Sequence, residues 1–281
     1  MHKPSDNLPF FSIITVVFNA EQHIEYTIQS VIEQNHANYE YIVIDGGSLD
    51  QTLAIIDKYR DKIDLLVSEA DRGIYDAMNK GIQLAKGEYI NFINAGDAFY
   101  DKHTLQEIYL ATAKADNQRK IDIVHGKVVN VSAEEPKYGY EVGKPVSKCS
   151  LFLSMPMCHQ TMFTRRDVFD KVGLYPLERK DGALYEWLIA YYMQKQSFAA
   201  ILFIPRRIAF YLLGGYSWRA MQSISRERLA TAKKYFTLKY RLYNYVRHTL
   251  ILLKAKVLAI LIRYRLLRKY RRIKYRLINL R

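Results

Sequence analysis

Two short polar turns in this sequence carry carboxylates that could do chemistry. One turn, residues 45–48 (DGGS), follows the apolar run Tyr41 to Ile44, and the other, residues 94–97 (NAGD), follows Glu88 to Ile93. Each places a carboxylate, Asp45 or Asp97, where a strand is expected to end, and the glycines allow a ligand to approach the backbone. A turn of this kind also joins a strand to a helix without binding anything, so the first turn alone leaves both interpretations open.

Alternating strands and helices must position these turns. Such alternation predicts an α/β fold with a mostly parallel sheet covered on both faces. Ligands of these sheets lie beyond the carboxyl ends of the strands, where two carboxylates would suit a hydroxyl-rich nucleotide and a divalent cation. The predicted strands are Phe11–Val17, Tyr41–Ile44, Leu65–Val67 and Glu88–Ile93, and the predicted helices are Ala20–Gln34, Gln51–Tyr59 and Ile74–Ala85.

The pattern becomes less regular after the first hundred residues. Strand-like pieces at Ile121–Val124 and Lys127–Val131 precede a polar stretch and a helix-like segment at Leu184–Gln194. From about Ser223 the chain has neither glycine nor proline, which favours continuous helix. We therefore predict a nucleotide-binding half at 1–100, a half that shapes the second substrate at 101–222, and a helical extension at 223–281.

Composition excludes several classes of protein. With 281 residues and 49% hydrophobic side chains, the chain can bury a core, so it is neither disordered nor fibrous. Two cysteines without CxxC spacing disfavour a disulfide scaffold or a thiolate metal site and favour a reducing compartment. The polar N-terminus and the nine-residue apolar run Phe10–Phe18 do not predict a signal peptide.

The net charge of +14 is concentrated at the C-terminus. Residues 228–281 hold 17 Lys and Arg and no acidic residue, and tyrosines are interleaved among them. The apolar run Leu250–Ile262 is shorter than the roughly 20 residues that a membrane span needs. This pattern predicts attachment to an anionic membrane surface. Two alternatives stay open: part of the region packs on the body or on a second subunit, or, less favoured without a known motif, it binds nucleic acid.

Five segments, taken in order, resemble the family 2 glycosyltransferases of the GT-A fold, inverting enzymes common in bacterial surface polysaccharide synthesis. They are FSIITVVFNA (11–20), YIVIDGGSLDQT (41–52), SEADRGIYDAMNKGIQLAKGEYINFINAGD (68–97), CHQTMFTRRDVFDKVGLY (158–175) and LGGYS (213–217). The resemblance implies a nucleotide diphosphate sugar as donor and a lipid-linked or growing glycan as acceptor. It also implies a location on the inner, cytoplasmic face of a bacterial membrane, and a homo-oligomer is left open.

The resemblance also implies roles for individual residues. Asp45 would contact the base or ribose, and Asp97, the last residue of the acidic motif, would hold Mg²⁺ or Mn²⁺ against the diphosphate, whose charge the metal offsets. His159 and Gln160 would contact the acceptor, although a histidine beside apolar residues is more often a core group. Contacts with the nucleotide sugar are expected from Thr15, Val17, Asn19, Arg72, Gly73, Lys80, Asn94, Ala95 and Gly96.

The general base is where the sequence departs from the family. The expected aspartate position is filled by Leu184, and the nearby carboxylates include Asp181 and Glu186. On a helix Asp181 lies about one turn from Leu184, whereas Glu186 points roughly 200° away. We therefore predict that Asp181 is the catalytic base. The alternative is a nucleotide-sugar-binding or scaffolding subunit that has lost catalysis, since Leu184 is apolar and the acidic motif has few carboxylates.

Overall fold

The computed structural model describes residues 8–36, 38–132, 139–153, 155–213 and 220–263. The strands are β1 (Phe11–Val17), β2 (Tyr39–Asp45), β3 (Leu65–Ser68), β4 (Tyr89–Phe92), β5 (Ala98–Phe99), β6 (Ile123–Ser132), β7 (Tyr140–Val142), β8 (Met162–Arg165) and β9 (Ile201–Leu213). The helices are α1 (Ile24–Ile32), α2 (Thr52–Asp57), α3 (Ile74–Leu84), α4 (Thr104–Asp116), α5 (Lys148–Leu153), α6 (Arg166–Val172), α7 (Ala183–Lys195), α8 (Met221–Tyr235) and α9 (Leu238–Arg263).

The first half of the sheet is parallel, in the order β3-β2-β1-β4. Strand β1 is fully buried because its side chains alternate between two apolar layers. Ile14 and Val16 pack in the layer that contains α3, and Phe11 and Ile13 pack in the layer that contains α1. Coverage on both faces explains why the strands read as continuous apolar runs.

The second half joins this sheet mainly by antiparallel pairing. Strand β8 pairs antiparallel with both β4 and β6, and β9 then pairs parallel with β6 and antiparallel with β5. The predicted α/β fold is confirmed, and the sheet is mixed, because the antiparallel strand β8 separates the parallel part β3-β2-β1-β4 from the parallel pair β6 and β9.

The longest strand, β9, has no counterpart in the sequence prediction. Its register against β6 shifts between His125 and Lys127, whose partners are Phe203 and Arg207. The extra residues on β9 include Pro205, which cannot donate to a ladder and is tolerated at a bulge. The same irregularity explains why β6 was predicted as two short strands rather than one.

The basic C-terminal region begins inside the core. Ala232 of α8 and Phe236, which follows the end of α8, are buried in one cluster with residues of α7. The Phe236 ring stacks on the Phe152 ring with 4.3 Å between the ring centroids. Asn244 of α9 donates to the Phe152 carbonyl at 3.1 Å. The first part of this region therefore packs on the body, one of the open alternatives.

Further along α9, Leu250, Leu253 and Val257 are exposed. Across the portion of the chain with assigned structure, none of the helices combines the length and apolar character needed to span a bilayer. The part of the predicted membrane-binding extension at 264–281 lies outside the described residues, as do residues 214–217 of the last matching segment.

Candidate active site

The turns after β1, β2, β3 and β4 lie at one edge of the sheet, because carboxyl ends of parallel strands meet there. We call this edge the strand-end crevice and define it by Asn19, residues 45–48, residues 70–73 and residues 94–97. Asn19 adopts a positive φ of 46° and accepts from the Leu49 amide through Oδ1 at 2.9 Å. Its own amide donates to the Ser48 hydroxyl at 2.8 Å, so the first two turns hold each other.

The Asp45 carboxylate is fully buried and organises its own turn. It accepts from the Gly47 amide at 3.1 Å, from the Ser48 amide and hydroxyl, and from the Ser68 hydroxyl at 2.7 Å. These donors come from two neighbouring strand ends, so Asp45 ties β2 to β3. Its contact with a nucleotide stays a prediction.

Thr15 and Val17 face the core beneath the crevice. The Thr15 hydroxyl donates to the Ile93 carbonyl at 2.8 Å and lies 3.0 Å from the Tyr41 hydroxyl, while Val17 packs in the α1 layer. Both side chains thus support the turns after β1 and β4 from below. Their predicted contact with a nucleotide is not tested by this arrangement.

Arg72 of the third turn and Lys80 of α3 each pair with an acidic neighbour. Arg72 pairs with Asp76 at 3.0 Å, and this hydrogen bond lowers the pKa of the Asp76 carboxyl. Lys80 pairs with Glu69 at 2.8 Å, and its side chain is only 23% exposed. Gly73 caps α3 with a φ of +117°, a conformation that favours glycine. Since the Arg72 side chain is 76% exposed, its guanidinium can exchange Asp76 for a ligand.

The fourth turn meets the predicted acceptor residues directly. Because β4 and β8 are antiparallel neighbours, the turn after β4 lies beside the turn before β8. Gln160 Nε2 donates to Asp97 Oδ2 at 2.8 Å, and Asn94 Nδ2 lies 2.9 Å from His159 Nε2. The structure therefore brings four of the predicted site residues into one cluster, with Ala95 and Gly96 in the same turn.

Burial controls the ionisation of this cluster. Burial raises the pKa of Asp97 to about 7, although hydrogen bonds from Gln160 and the Leu212 amide act in the opposite direction. Burial also lowers the pKa of His159 to about 4, so this imidazole is neutral at pH 7. The Asn94 Oδ1 atom is buried and has no hydrogen-bond partner among the described residues. An acceptor atom of this kind can serve a ligand.

The donor set at Asp97 suits a metal that is shared with substrate. Within the described ranges, no three His, Cys, Asp or Glu side chains gather as a metal cage. Asp97 supplies one carboxylate, and Asn94 Oδ1 is an unfilled oxygen in the same turn. Mg²⁺ is often held by one or two carboxylates together with substrate phosphates. These residues thus fit a cation that takes its other ligands from a diphosphate and water.

A cavity of about 240 Å³ lies next to this cluster, and Asp181 lines it together with His159, Gln160 and Leu184. The sequence analysis placed Asp181 on a helix, and this was wrong. Helix α7 begins at Ala183 with Gly182 as its N-cap, so Asp181 lies in the preceding loop. Its position is fixed by a carboxylate of α8, Glu227, which accepts amide hydrogen bonds from three consecutive loop residues. These donors are Lys180 at 3.1 Å, Asp181 at 3.0 Å and Gly182 at 2.6 Å.

The other carboxylates considered as the base are placed differently. Glu186 pairs with Arg179 at 2.5 Å and with Lys234 at 2.9 Å. Burial alone would raise the pKa of Glu186, but the hydrogen bonds from Lys234 and Arg179 outweigh burial and hold it below its usual value. Glu178 is exposed. Neither residue lines the cavity, whereas Asp181 does.

One cavity residue was missed by the sequence reasoning. Arg228 of α8 reaches the cavity from the basic region that was predicted to attach the chain to a membrane. The sequence contains a local signal, because the spacing of Ser225, Arg228 and Ala232 places them on one face of a helix. In the structure all three are buried. An arginine between small residues on the inner face of a helix is therefore the pattern that points to it.

The mixed sheet with its strand-end crevice has the GT-A type fold. Residues 12–173 match the family described as glycosyl transferase family 2, and the chain belongs to that family. This confirms the resemblance identified in the sequence.

Relatives and solved structures agree with this assignment. The PGL/p-HBAD biosynthesis glycosyltransferase of Mycobacterium tuberculosis is 30% identical over 182 residues, which cover 64% of this chain and 67% of that protein. A solved structure of S. aureus TarS 1-349 in complex with UDP-GlcNAc has a TM-score of 0.58 at 19% identity, covering 83% of this chain and 69% of that one. The mannosyltransferase PcManGT from Pyrobaculum calidifontis, in complex with GDP-Man and Mn²⁺, has a TM-score of 0.60 at 15% identity, covering 99% and 91%. At these identities the two structures show the fold.

Proposed function

We propose that this glycosyltransferase is an inverting enzyme that moves a sugar from a nucleotide diphosphate sugar to a lipid-linked or growing glycan acceptor. The observation that carries the proposal is the placement of Asp181, which lines one cavity with His159 and Gln160. Gln160 in turn contacts Asp97, the residue predicted at the diphosphate. The binding of UDP-GlcNAc by TarS and of GDP-Man by PcManGT supports a donor of this class.

The proposed reaction is a single displacement at the anomeric carbon. An acceptor hydroxyl attacks this carbon while Asp181 takes the hydroxyl proton, and the bond to the diphosphate breaks with its electron pair leaving on the phosphate oxygen. Attack from the side opposite the leaving group inverts the configuration. The exposed Arg72 can approach the departing diphosphate. A divalent cation, when bound at Asp97 and Asn94, would supply further positive charge there.

The second candidate is a subunit that binds nucleotide sugars without turning them over. It is favoured by one observation: Leu184, which stands where the family places its base, lines the cavity as an apolar residue. The position of Asp181 on the same cavity argues for catalysis instead. Turnover of donor by the purified chain distinguishes the two candidates.

A donor screen tests the proposal directly. UDP, GDP and their sugars are added to the full chain with and without Mn²⁺, and the melting temperature is followed, because a ligand of the native state stabilises it by mass action. The nucleotide sugar that stabilises the chain most is then incubated with candidate acceptors, and NMR determines the anomeric configuration of the product. We expect inversion. Retention of configuration would refute the single displacement, and donor binding without turnover would favour the binding subunit.

We further propose that the C-terminal region attaches the enzyme to the inner face of a bacterial membrane. The support is the basic sequence of 228–281 and the exposed apolar residues Leu250, Leu253 and Val257 of α9. Each basic residue near an anionic surface contributes about 1 kcal/mol, an attraction that salt weakens.

A truncation tests this attachment. A chain that ends before Leu250 keeps the Asn244 contact with the body, so we expect it to bind donor but to sediment less with anionic vesicles. Neutral vesicles and high salt serve as controls. Equal sedimentation of both chains would place the membrane contact in the body.

A further inference from the structure

Arg228 is a buried arginine with open hydrogen-bonding capacity at the edge of the Asp181 cavity. Arg228 is only 5% exposed, and its guanidinium lies 4.1 Å from the ring centre of Tyr185. Nε and Nη2 are buried and find no hydrogen-bond partner among the residues that the structure describes. Buried guanidinium donors are normally satisfied, so this arrangement points to a missing acceptor.

Two nearby carboxylates, those of Glu227 and Glu186, do not serve as that acceptor. Glu227 is the neighbour of Arg228 in sequence, but it accepts the amide hydrogens of residues 180–182. Glu186 is held by Arg179 and Lys234. A buried charge without an opposite partner is costly, and the contact with Tyr185 offsets only part of that cost. Retaining Arg228 here is therefore best explained by a ligand.

The electrostatic environment also favours an anion. Burial lowers the pKa of Arg228 to about 10, the charge of Arg247 acts in the same direction, and Tyr185 acts against both. The residue stays cationic at neutral pH despite this environment. An oxyanion placed against Nε and Nη2 would form charge-assisted hydrogen bonds with the planar guanidinium.

The other residues that line the cavity indicate which chemical groups the rest of the ligand carries. Its walls include the aromatic side chains of Tyr75, Tyr185 and Tyr211 and the apolar side chains of Met155 and Met157. Such walls suit a sugar ring or an apolar chain that carries the anion. None of the predicted donor-site residues Asn19, Asp45, Arg72 and Lys80 lines this cavity. The anion therefore approaches from the side of the acceptor rather than from the donor.

We propose that Arg228 binds a phosphate ester of the acceptor, close to the hydroxyl that Asp181 activates. The acceptor class is then a phosphorylated, lipid-linked molecule rather than a neutral glycan. This inference rests on the proposed function, because it takes the cavity of Asp181 as the acceptor site.

Binding measurements on the full chain test the proposal with defined probes. Farnesyl phosphate represents a lipid phosphate, farnesol is its neutral match, inorganic phosphate represents the anion alone, and UDP and GDP report the donor site. Arg228→Met is compared with Arg226→Met, which removes an exposed charge from the same helix. We expect Arg228→Met to weaken farnesyl phosphate by roughly ten- to a hundredfold, as expected for a lost hydrogen bond to a charged group, without changing nucleotide affinity. Arg226→Met should change neither.

Several results would overturn the proposal. One is unchanged binding of farnesyl phosphate by Arg228→Met. Another is an equal loss of UDP or GDP affinity in that variant, which would assign Arg228 to the donor site. The third is that inorganic phosphate binds as tightly as farnesyl phosphate. If Arg228→Met does not fold, Arg228→Lys replaces it, and we expect several-fold weaker binding because lysine lacks the planar fork. A wild-type chain that binds farnesyl phosphate through Arg228 but transfers no sugar would refute the proposed function alone.

Discussion

In the strand-end crevice, charged groups already have partners from the chain, whereas in the cavity beside it Arg228 has donors without acceptors. Asp45 accepts from residues at two strand ends, and Arg72 is paired with Asp76. At the boundary between the two regions, Asn94 Oδ1 is buried and unpartnered among the described residues, like Nε and Nη2 of Arg228. Both regions are rich in polar side chains, but those of the crevice are mostly paired with each other, whereas the cavity contains donors that lack a partner from the described residues.

The difference separates groups that shape the site from groups that await a ligand. Removing a satisfied buried group leaves its partners unpaired, so the effect appears first in the free energy of unfolding. When the removed group contacts only a ligand, the effect of its removal appears first in ligand affinity or turnover. Each prediction below tests on which side of this division a residue falls.

The largest expected effect belongs to Asp181. Asp181→Asn should lower kcat by about 100-fold or more while donor affinity stays the same, because a proton acceptor is lost. Donor turnover and nucleotide binding are measured on the same preparation. Glu178→Gln, which removes an exposed carboxylate nearby, is the matched control. Unchanged turnover in Asp181→Asn, or turnover lost in Glu186→Gln while that variant stays folded, would move the base elsewhere.

Asp45 tests the satisfied side of the comparison. Asp45→Asn puts an amide donor where the Gly47, Ser48 and Ser68 donors converge, so we expect it to lower the free energy of unfolding by about 2 kcal/mol or more. Nucleotide affinity should fall as well, since the crevice loses its shape. Chemical denaturation and nucleotide titration measure the two effects. A variant that keeps its stability but loses nucleotide would show that Asp45 acts by direct contact.

Asp50→Asn is the control for this experiment. Asp50 lies in the same loop and accepts from the Glu21 and Thr52 amides, but it is only partly buried. We therefore expect its replacement to leave the melting temperature nearly unchanged. An equal loss of stability in both variants would mean that the loop tolerates no change of charge, rather than that Asp45 is special.

Local patterns predicted the first half of the fold well. The runs at 11–17 and 65–67 lie within β1 and β3 because buried parallel strands are continuous apolar stretches. The long strand β9 was not predictable in the same way. Pro205 and two arginines interrupt its apolar pattern, and only pairing with β6 across a bulge makes it a strand. Pairing partners distant in sequence leave no local periodicity to read.

The site divides along the same line. The turns at 45–48 and 94–97 follow their strands directly, so their location at one sheet edge could be inferred. The contacts of Asp97 with Gln160 and of Asn94 with His159 depend on the antiparallel pairing of β4 and β8. Arg228 lies still further away in sequence, and its charge made it look like part of a solvated basic region.

Glu227 is expected to have an intermediate effect, since it positions Asp181 without touching substrate. Glu227→Gln keeps one acceptor oxygen but loses the charge that holds three loop amides. We expect about 1–2 kcal/mol of lost stability, together with a several-fold drop in kcat. Donor affinity should be unchanged. Arg226→Gln, one residue earlier on α8, is the control, and a normal kcat in Glu227→Gln would show that the loop holds Asp181 without it.

His125 provides the strongest challenge to the comparison, because both of its ring nitrogens are buried and unpartnered among the described residues. It packs against Phe203 at 5.2 Å between ring centres and does not line the cavity. An unsatisfied group that is sealed in the core should affect stability rather than binding. At pH 7 we expect His125→Leu to change the free energy of unfolding by less than about 1 kcal/mol, since an apolar residue replaces a neutral, unpaired ring.

The effect of His125 should appear in acid. Burial lowers its pKa from 6.5 to about 4, so as the pH falls the unfolded chain takes up the proton first. Stability that depends on neutral His125 is therefore fully present above about pH 6.5 and is lost between pH 6.5 and 4, by up to about 3 kcal/mol. The difference in unfolding free energy between His125→Leu and wild type should grow over that range, whereas His23→Gln, at an exposed histidine, should show no such growth. A constant difference between pH 7 and pH 4 would show that protonation of His125 does not cause this loss of stability. A loss of donor binding in His125→Leu would show that an unpartnered polar group in this protein does not need to face a cavity to serve a ligand.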